Sequence, residues 1–406
     1  MRNIVVIGGG ASGMMAALTA AEDKNNRVIL LERQQRVGKK LLSTGNGRCN
    51  LTNTGAGAEN YHGENAEFVR PALEKFTPRD TVDFFASLGL ITVEEYGGRV
   101  YPYSNSANSV VDVLRFALGA AGVELKAPCI AREVRRSGDK YTVITDGENF
   151  TADKLIIACG GAAGVKVGGV KDGYELLKML GHKSTRIYPA LVQMITDADV
   201  PRSLKGVRSN AALRLMSGGE LLGESRGEVQ FTDNGVSGPA VFDLSRLAAM
   251  NGDGLKLHID LLPCTEAEFL EILRQRREKM PLLESGELLT GMLHNRLGKT
   301  VLRLCGVNMS LPVSALDDDT LARIAGKCAD LVLTVHGTEG FENAQVTAGG
   351  VKTGGFDPET LESWYMPGLF ACGEVLDVDG DCGGYNLQWA WASGHLAGKL
   401  GITDGE

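Results

Sequence analysis

The stretch that most constrains this chain is its beginning, where Ile4-Val5-Val6-Ile7 runs directly into Gly8-Gly9-Gly10-Ala11-Ser12-Gly13. Four β-branched residues in succession read as a buried strand, and the glycines force a turn at its end. A small-residue helix is expected from Met14 to Glu22. Gly8, Gly10 and Gly13 fill the three positions of a G-x-G-x-x-G fingerprint. The first glycine permits the tight turn, the second lets a pyrophosphate approach the backbone, and the third lets the helix pack on its strand. The helix N-terminus then turns free N–H groups and a positive dipole end towards the phosphates. Such turns are common, so context decides. It comes from a second apolar run, Arg27 to Leu31, that ends in Glu32, an acid placed about twenty residues on to bind both ribose hydroxyls.

Charge and cysteine usage narrow the classes of function. The 42 basic residues are outnumbered by 50 acidic ones, for a net charge of −8. That balance argues against a nucleic-acid surface. Eight cysteines without a C-x-x-C make neither a disulfide framework nor a zinc site, and six histidines without paired spacing give no metal-ligand set. A reduced, cytoplasmic setting is expected. Glycines interrupt the apolar start too early for a signal peptide, and no apolar run reaches the ~18 residues of a membrane span. The 53 glycines cluster in short loops, which suits backbone that approaches a ligand several times.

Between Val37 and Asn53 lies a polar, glycine-punctuated loop too long for a simple connection. Its Lys39, Lys40 and Arg48 are placed to meet phosphates, and Asn46 and Asn50 to hydrogen-bond a flat ring. Cys49 has no second cysteine a few residues on, which disfavours a dithiol mechanism. Helices are expected within Phe68 to Leu88, started by Thr77-Pro78-Arg79-Asp80, and from Ser109 to Ala121. Val123 to Lys126 reads as a strand, and Cys129 to Arg136 with Tyr141 to Thr145 as a hairpin. Leu155 to Ala163 is a buried strand opening into Gly160 and Gly161, where a sheet would return beneath a nucleotide. From about Tyr188 short alternating strands take over, including Ala211 to Met216, Glu228 to Thr232, Leu255 to Leu261 and Leu331 to Val335. Thr265-x-x-Glu268 is a capping box that opens a helical stretch to about Asp330. Its Arg274, Arg276, Arg277 and Lys279 read as a solvated face.

The end of the chain returns to glycine-rich chemistry. Gly368 to Glu374 has the shape of a second flavin signature, a strand ending in Gly373-Glu374. The helix expected from about Gly384 to Leu400 can stabilise, through its dipole, the negative charge gathered at N1 and the C2 carbonyl of a reduced flavin. A plain nicotinamide dehydrogenase needs no second nucleotide signature here, whereas FAD does. Glu32 opposes a 2′-phosphate, and Arg33 beside it leaves NADP open. Asp377, Asp379 and Asp381 are expected as an acidic turn beside the flavin, spaced unlike an EF-hand.

Five segments, Gly8 to Gly13, Thr44 to Asn53, Phe231 to Pro239, Gly349-Gly350-Val351 and Gly373 to Gln388, together resemble the BaiN-like family, the aminoacetone-oxidase group of FAD-dependent oxidoreductases. The resemblance covers essentially the whole chain, and the Thr44-Gly45-Asn46-Gly47-Arg48-Cys49-Asn50 run is its most specific part. It implies an α/β fold: a two-dinucleotide-binding FAD domain of glutathione-reductase type, residues 1–188 and 341–406, with inserted modules. These are a β-barrel-like domain, residues 189–263 and 331–340, and a helical insert, residues 264–330. It also implies FAD contacts from Ser12, Gly13, Glu32, Lys40, Glu374, Asn386 and Leu387, and from the backbone of Val134 to adenine.

The expected activity is hydride transfer between flavin N5 and a small organic substrate. The resemblance implies either reduction of a steroid enone or oxidation of an aminoketone. No second fingerprint lies mid-chain, so NAD(P)H as electron donor would dock only transiently. Arg48, Tyr101, Tyr103 and Tyr385 are candidates to polarise or protonate substrate, with structural roles as the alternative. The rival readings are an RNA-modifying flavoprotein and a redox-sensing flavoprotein without turnover. The physiological substrate and the oligomeric state stay open.

Overall fold

The computed structural model describes residues 1–402. It divides into two compact units, Met1–Tyr188 together with the chain from Phe341 onward, and Pro189–Gly340.

The first unit is built on a five-stranded, wholly parallel sheet. Its order is Leu369–Ala371, Lys154–Ile157, Arg2–Ile7, Asn26–Leu31 and Glu124–Lys126. The Arg2–Ile7 strand lies in the centre, and Ile4, Val5 and Val6 are fully buried. Strands covered on both faces read as continuous apolar runs, which is why these segments do not alternate. The first helix, Ala11–Ala20, begins ahead of the expected Met14 because Gly10 turns the chain straight into it. It packs on the Tyr385–Gly398 helix at glycine-only distances. A methyl on Gly394 would lie 2.4 Å from the Ser12 carbonyl oxygen, and one on Gly398 would lie 2.6 Å from Thr19 Cβ. The two ends of the chain therefore close on each other.

The expected hairpin is three-stranded: Ala131–Ser137 and Lys140–Thr145 are joined by Phe150–Ala152. Its root is tied to the parallel sheet, since Glu32 N–H donates to the Lys126 carbonyl at 2.9 Å and Cys129 N–H to the Glu32 carbonyl at 2.7 Å. Thr77 caps the Pro78–Ser87 helix by accepting from Asp80 N–H at 3.2 Å, as its Thr-Pro start signal predicts.

The second unit is a closed six-stranded barrel of Met194–Thr196, Gly235–Ser237, Glu220–Phe231, Arg208–Ser217, Leu255–Asp260 and Leu331–Thr338. One strand starts at Glu220 rather than the expected Glu228. Its first half carries exposed Glu224 and Arg226, and at Gly223 a Cβ would meet Leu247 of the Pro239–Asn251 helix at 2.6 Å. Glycine and outward charge hide the alternation there.

Between the last two barrel strands come the helices Glu266–Lys279, Asn295–Leu304 and Asp318–Ala329. Their Phe269, Leu273, Val301 and Ile324 share one core with barrel residues Leu257 and Leu333. The basic face expected to be merely solvated has structural work. Arg276 donates to the carbonyls of Leu288 and Thr290 at 2.8 and 2.7 Å, and Arg277 donates to that of Leu316 at 2.9 Å. Among the described residues no helix is long and apolar enough to cross a membrane.

Candidate cofactor and active site

The three fingerprint glycines differ in what demands them. Gly8 sits at φ +111°, and a Cβ there would lie 2.3 Å from the Ala158 carbonyl oxygen. A Cβ on Gly13 would fall 1.8 Å from the Gly8 carbonyl oxygen. Packing alone fixes both. Gly10 has an ordinary φ of −80°, and a Cβ would meet nothing within 4 Å. It opens onto free space at the helix start, where no side chain caps the helix and no acid occupies the first turn. An anion fits such an end.

Glu32 is 8% exposed and held on both oxygens. Gly9 N–H donates to Oε2 at 2.7 Å and Gln34 N–H to Oε1 at 2.6 Å. Burial pushes its carboxyl above the usual range, against the pull of those N–H groups and of Arg33 and Lys39. Arg33 itself turns to Asp172 at 2.7 Å, at the start of the Asp172–Met179 helix, which sequence reasoning missed. Val134 is buried in its strand opposite Val143.

The second glycine motif packs directly on the first. Gly373 has φ +76°, and a Cβ there would lie 2.4 Å from Ser12 Oγ. Its N–H donates to Ser393 Oγ at 3.0 Å, and its carbonyl accepts from Trp389 Nε1 at 3.2 Å. Glu374 Oε2 pairs with Lys40 Nζ at 2.6 Å, while Oε1 accepts from Thr347 N–H at 2.8 Å. Lys40, expected at a phosphate, thus bridges the 37–53 loop to the second motif. Gly160, at φ +72°, faces open space.

The Tyr385–Gly398 helix starts from Gly384 at φ +105°, with no side-chain cap and no first-turn acid. The Asn386 side chain does not point away from the protein. It accepts from Gly380 N–H at 2.9 Å and donates to the Gly380 carbonyl at 2.7 Å, fixing the loop ahead of the helix. Leu387 is half-buried against the core.

The 44–53 run clamps onto that helix. Thr52 and Thr81 hydroxyls both donate to Gln388 Oε1, at 2.6 and 2.8 Å, and Gln388 Nε2 donates to the Phe76 carbonyl at 2.8 Å. Trp391 Nε1 donates to the Leu51 carbonyl at 2.9 Å, and Asn53 Nδ2 to that of Gly383 at 2.9 Å. Asn46 and Cys49 take left-handed φ values of +56° and +63°, a strained turn for side-chain-bearing residues. Inside it, Asn50 Oδ1 is buried without a hydrogen-bond partner, 3.0 Å from where a Cβ on Gly384 would stand. An orphaned buried acceptor costs about 1–3 kcal/mol, and a ligand donor would relieve it. This acceptor and the free space at Gly10 are what a flat, hydrogen-bonding dinucleotide cofactor needs.

Of the candidate catalytic residues, Arg48 and Tyr101 are in contact. Arg48 stacks over Tyr101 with 4.0 Å to the ring centroid, donates to Asn105 at 2.8 Å and pairs with Glu95, whose carboxyl it holds below the usual range. Tyr103 is 71% exposed. The Tyr385 ring meets Tyr61 edge-on at 6.5 Å, and the Tyr61 hydroxyl donates to the Tyr385 carbonyl at 2.9 Å.

A pair not anticipated from sequence lies close by. Tyr61–His62 pairs antiparallel with Asp379–Gly380, and His62 Nε2 meets Asp381 Oδ1 at 2.7 Å. Nothing in the local sequence links these residues, so only the fold reveals them. Asp377 accepts from Glu64 N–H at 3.1 Å. Burial pushes the Cys49 and Cys372 thiols up to about 12, far from the thiolate chemistry of a dithiol enzyme. Among the described residues no group of three or more His, Cys, Asp or Glu could hold a metal ion.

A family model described as the HI0933-like protein Rossmann domain matches residues 2–400. The chain is 41% identical over 372 residues to a 3-dehydro-bile acid delta(4,6)-reductase of Clostridium scindens, with 91% of each chain covered. It is 30% identical over 359 residues to a ribosomal RNA dihydrouridine synthase of Escherichia coli, with 88% of each covered. Among solved structures, the open conformation of a flavocytochrome c3 fumarate reductase aligns with 98% of this chain and 78% of its own. That alignment has 17% identity and a TM-score of 0.47.

Proposed function

This chain belongs to the HI0933-like Rossmann family, the BaiN-like flavoproteins, and on that premise we propose that it is an FAD-dependent reductase of carbonyl-conjugated carbon–carbon double bonds. The observation that carries the reading is the 41% identity to a delta(4,6)-reductase over 91% of the chain. A second relative points to the same bond change. Dihydrouridine differs from uridine by two hydrogens across a double bond conjugated to a carbonyl, and a protein named for making it is 30% identical. The common denominator is addition of a hydride and a proton to an electron-poor alkene.

FAD would supply a two-electron hydride donor, with NAD(P)H as the reductant that replenishes it. The chain's own groups suit that task. Gly10 leaves room for pyrophosphate at the first helix, whose N-terminal N–H groups face it. Glu32, fixed by two backbone N–H groups, keeps lone pairs for ribose hydroxyls. Ser12, Gly13, Gly373 and Glu374 form the floor where the two motifs touch. Asn50 offers an acceptor to the ring edge, and the uncapped helix end at Gly384 offers a positive dipole to negative charge developing there.

We favour a small apolar enone as substrate over RNA, on the acidic balance of −8 and the higher identity to the bile-acid enzyme. The deciding experiment is anaerobic stopped flow on flavin-loaded protein. Bleaching by NADH or NADPH, followed by reoxidation with a steroid 4-en-3-one, is the expected course. Absence of bound flavin after reconstitution sinks the reading. Reoxidation only by undermodified ribosomal RNA moves the substrate to RNA.

A further inference from the structure

We propose that His62, positioned by Asp381, is the proton donor of this reductive reaction. The inference rests on the alkene-reductase reading above and adds the acid that reading lacks. Three observations carry it.

First, the pair sits on the ribbon that leads into the candidate flavin-facing helix. Asp379–Gly380 is the last pairing before Gly384, and Asn386 from the helix's first turn locks Gly380 by two hydrogen bonds. Asp381 is anchored next to it by its own N–H, which donates to the Asn60 carbonyl at 3.0 Å. Second, the imidazole and carboxylate are in contact at 2.7 Å, and both side chains keep solvent access, 38% and 30% exposed. A donor must be replenished from water after each turnover, which a sealed group cannot achieve. Third, two of the other candidates are poorly suited. Arg48 is engaged by Glu95 and Asn105 and holds its proton too firmly to give it up, and Tyr103 projects into solvent. Charged and titratable groups on this ribbon include Asp381 in contact with His62 and Asp379 opposite it in the ladder; Asp377, Glu64 with its partner Lys352, and the phenols of Tyr61 and Tyr385 belong to the same paired segments and the elements packed on them.

The step balances. The alkene β-carbon takes a hydride from the reduced cofactor and the α-carbon takes the proton from the His62 imidazolium. One π bond breaks, two C–H bonds form, the cofactor is oxidised, and neutral His62 recovers a proton from solvent. Asp381 serves as a positioning residue that fixes the ring at 2.7 Å.

The test uses flavin-loaded protein reduced anaerobically with dithionite, which removes the nicotinamide step, and mixed with a steroid 4-en-3-one. His62→Gln should keep the flavin spectrum and slow reoxidation about a hundredfold or more. Asp381→Asn should slow it less, and Asp381→Glu, which keeps a carboxylate to hold the ring, should recover part of the lost rate. A readout free of turnover comes from histidine labelled with 13C at Cε1. The resonance absent from His62→Gln should shift in wild type when the flavin is reduced. His62→Gln that reoxidises at the wild-type rate, or a His62 resonance indifferent to flavin reduction, overturns the proposal. Wild-type protein that binds flavin but reduces no alkene overturns the reductase reading and the donor role with it. That result is distinguishable, because it precedes any comparison of variants.

Discussion

Ser12 and Gly373 come from opposite ends of the chain, yet a methyl group on Gly373 would stand 2.4 Å from the Ser12 hydroxyl oxygen. The two glycine motifs therefore form a single floor. Gly373→Ala combines this collision with a φ of +76°, which disfavours any side chain. Together they should lower the Tm of the protein by about 5 °C or more, read by calorimetry. A change of under a degree would show that the floor is loose.

Gly10→Ala should behave in the opposite way. Its φ is ordinary and its Cβ meets nothing in the protein, so the flavin-free protein should keep its Tm within about 2 °C. If phosphate occupies that space, FAD affinity should fall about tenfold or more in a fluorescence titration. Unchanged affinity would place the pyrophosphate elsewhere.

Gln388 supports the site from behind by accepting hydroxyl donors from both Thr52 and Thr81. Thr52→Val and Thr81→Val should each cost about 1 kcal/mol, because one donor remains. The double variant strips a fully buried carbonyl of both and should exceed the sum by about 1 kcal/mol in a double-mutant cycle. Strict additivity would argue that the carbonyl finds water.

His182 gives the first unit a defined acid sensitivity. It is buried, stacks on Phe356 at 4.4 Å and contacts Ser363 Oγ at 2.9 Å, and burial lowers its pKa from 6.5 to about 4. The folded value lies below the unfolded one, so on acidification the unfolded chain takes up this proton first. The contribution is full above about pH 6.5 and is lost as pH falls towards 4. Denaturant unfolding should show wild type losing about 3 kcal/mol more than His182→Gln over that window. Parallel pH curves for the two proteins would contradict the assignment.

Sequence alone carried much of this architecture because the governing constraints are local. A β-branched run followed by glycine specifies strand and turn, and Thr-Pro or Thr-x-x-Glu specifies a helix start, without help from the rest of the fold. What escaped depends on distant partners. The first half of the Glu220–Phe231 strand is disguised by outward charge and by a glycine demanded by the crossing helix. Arg276 and Arg277 look like surface charge until the carbonyls they hold are known. The pairing of Lys40 with Glu374 was hidden because the two lie hundreds of residues apart. His62 and Asp381 become neighbours only through a two-residue ladder too short to leave a periodicity.

The contact of the Tyr385–Gly398 helix with Ala11–Ala20, through Gly394 and Gly398, also orders events in time. During synthesis the fingerprint leaves the ribosome long before its packing partner is made. The nascent first unit must wait, with its central strand exposed to non-native pairing, until the Tyr385–Gly398 helix has emerged. The Pro189–Gly340 unit, contiguous in sequence, is free of that delay. A ribosome-bound chain truncated before Tyr385 should therefore carry a folded barrel beside an unfinished nucleotide fold, and depend on chaperones in that interval.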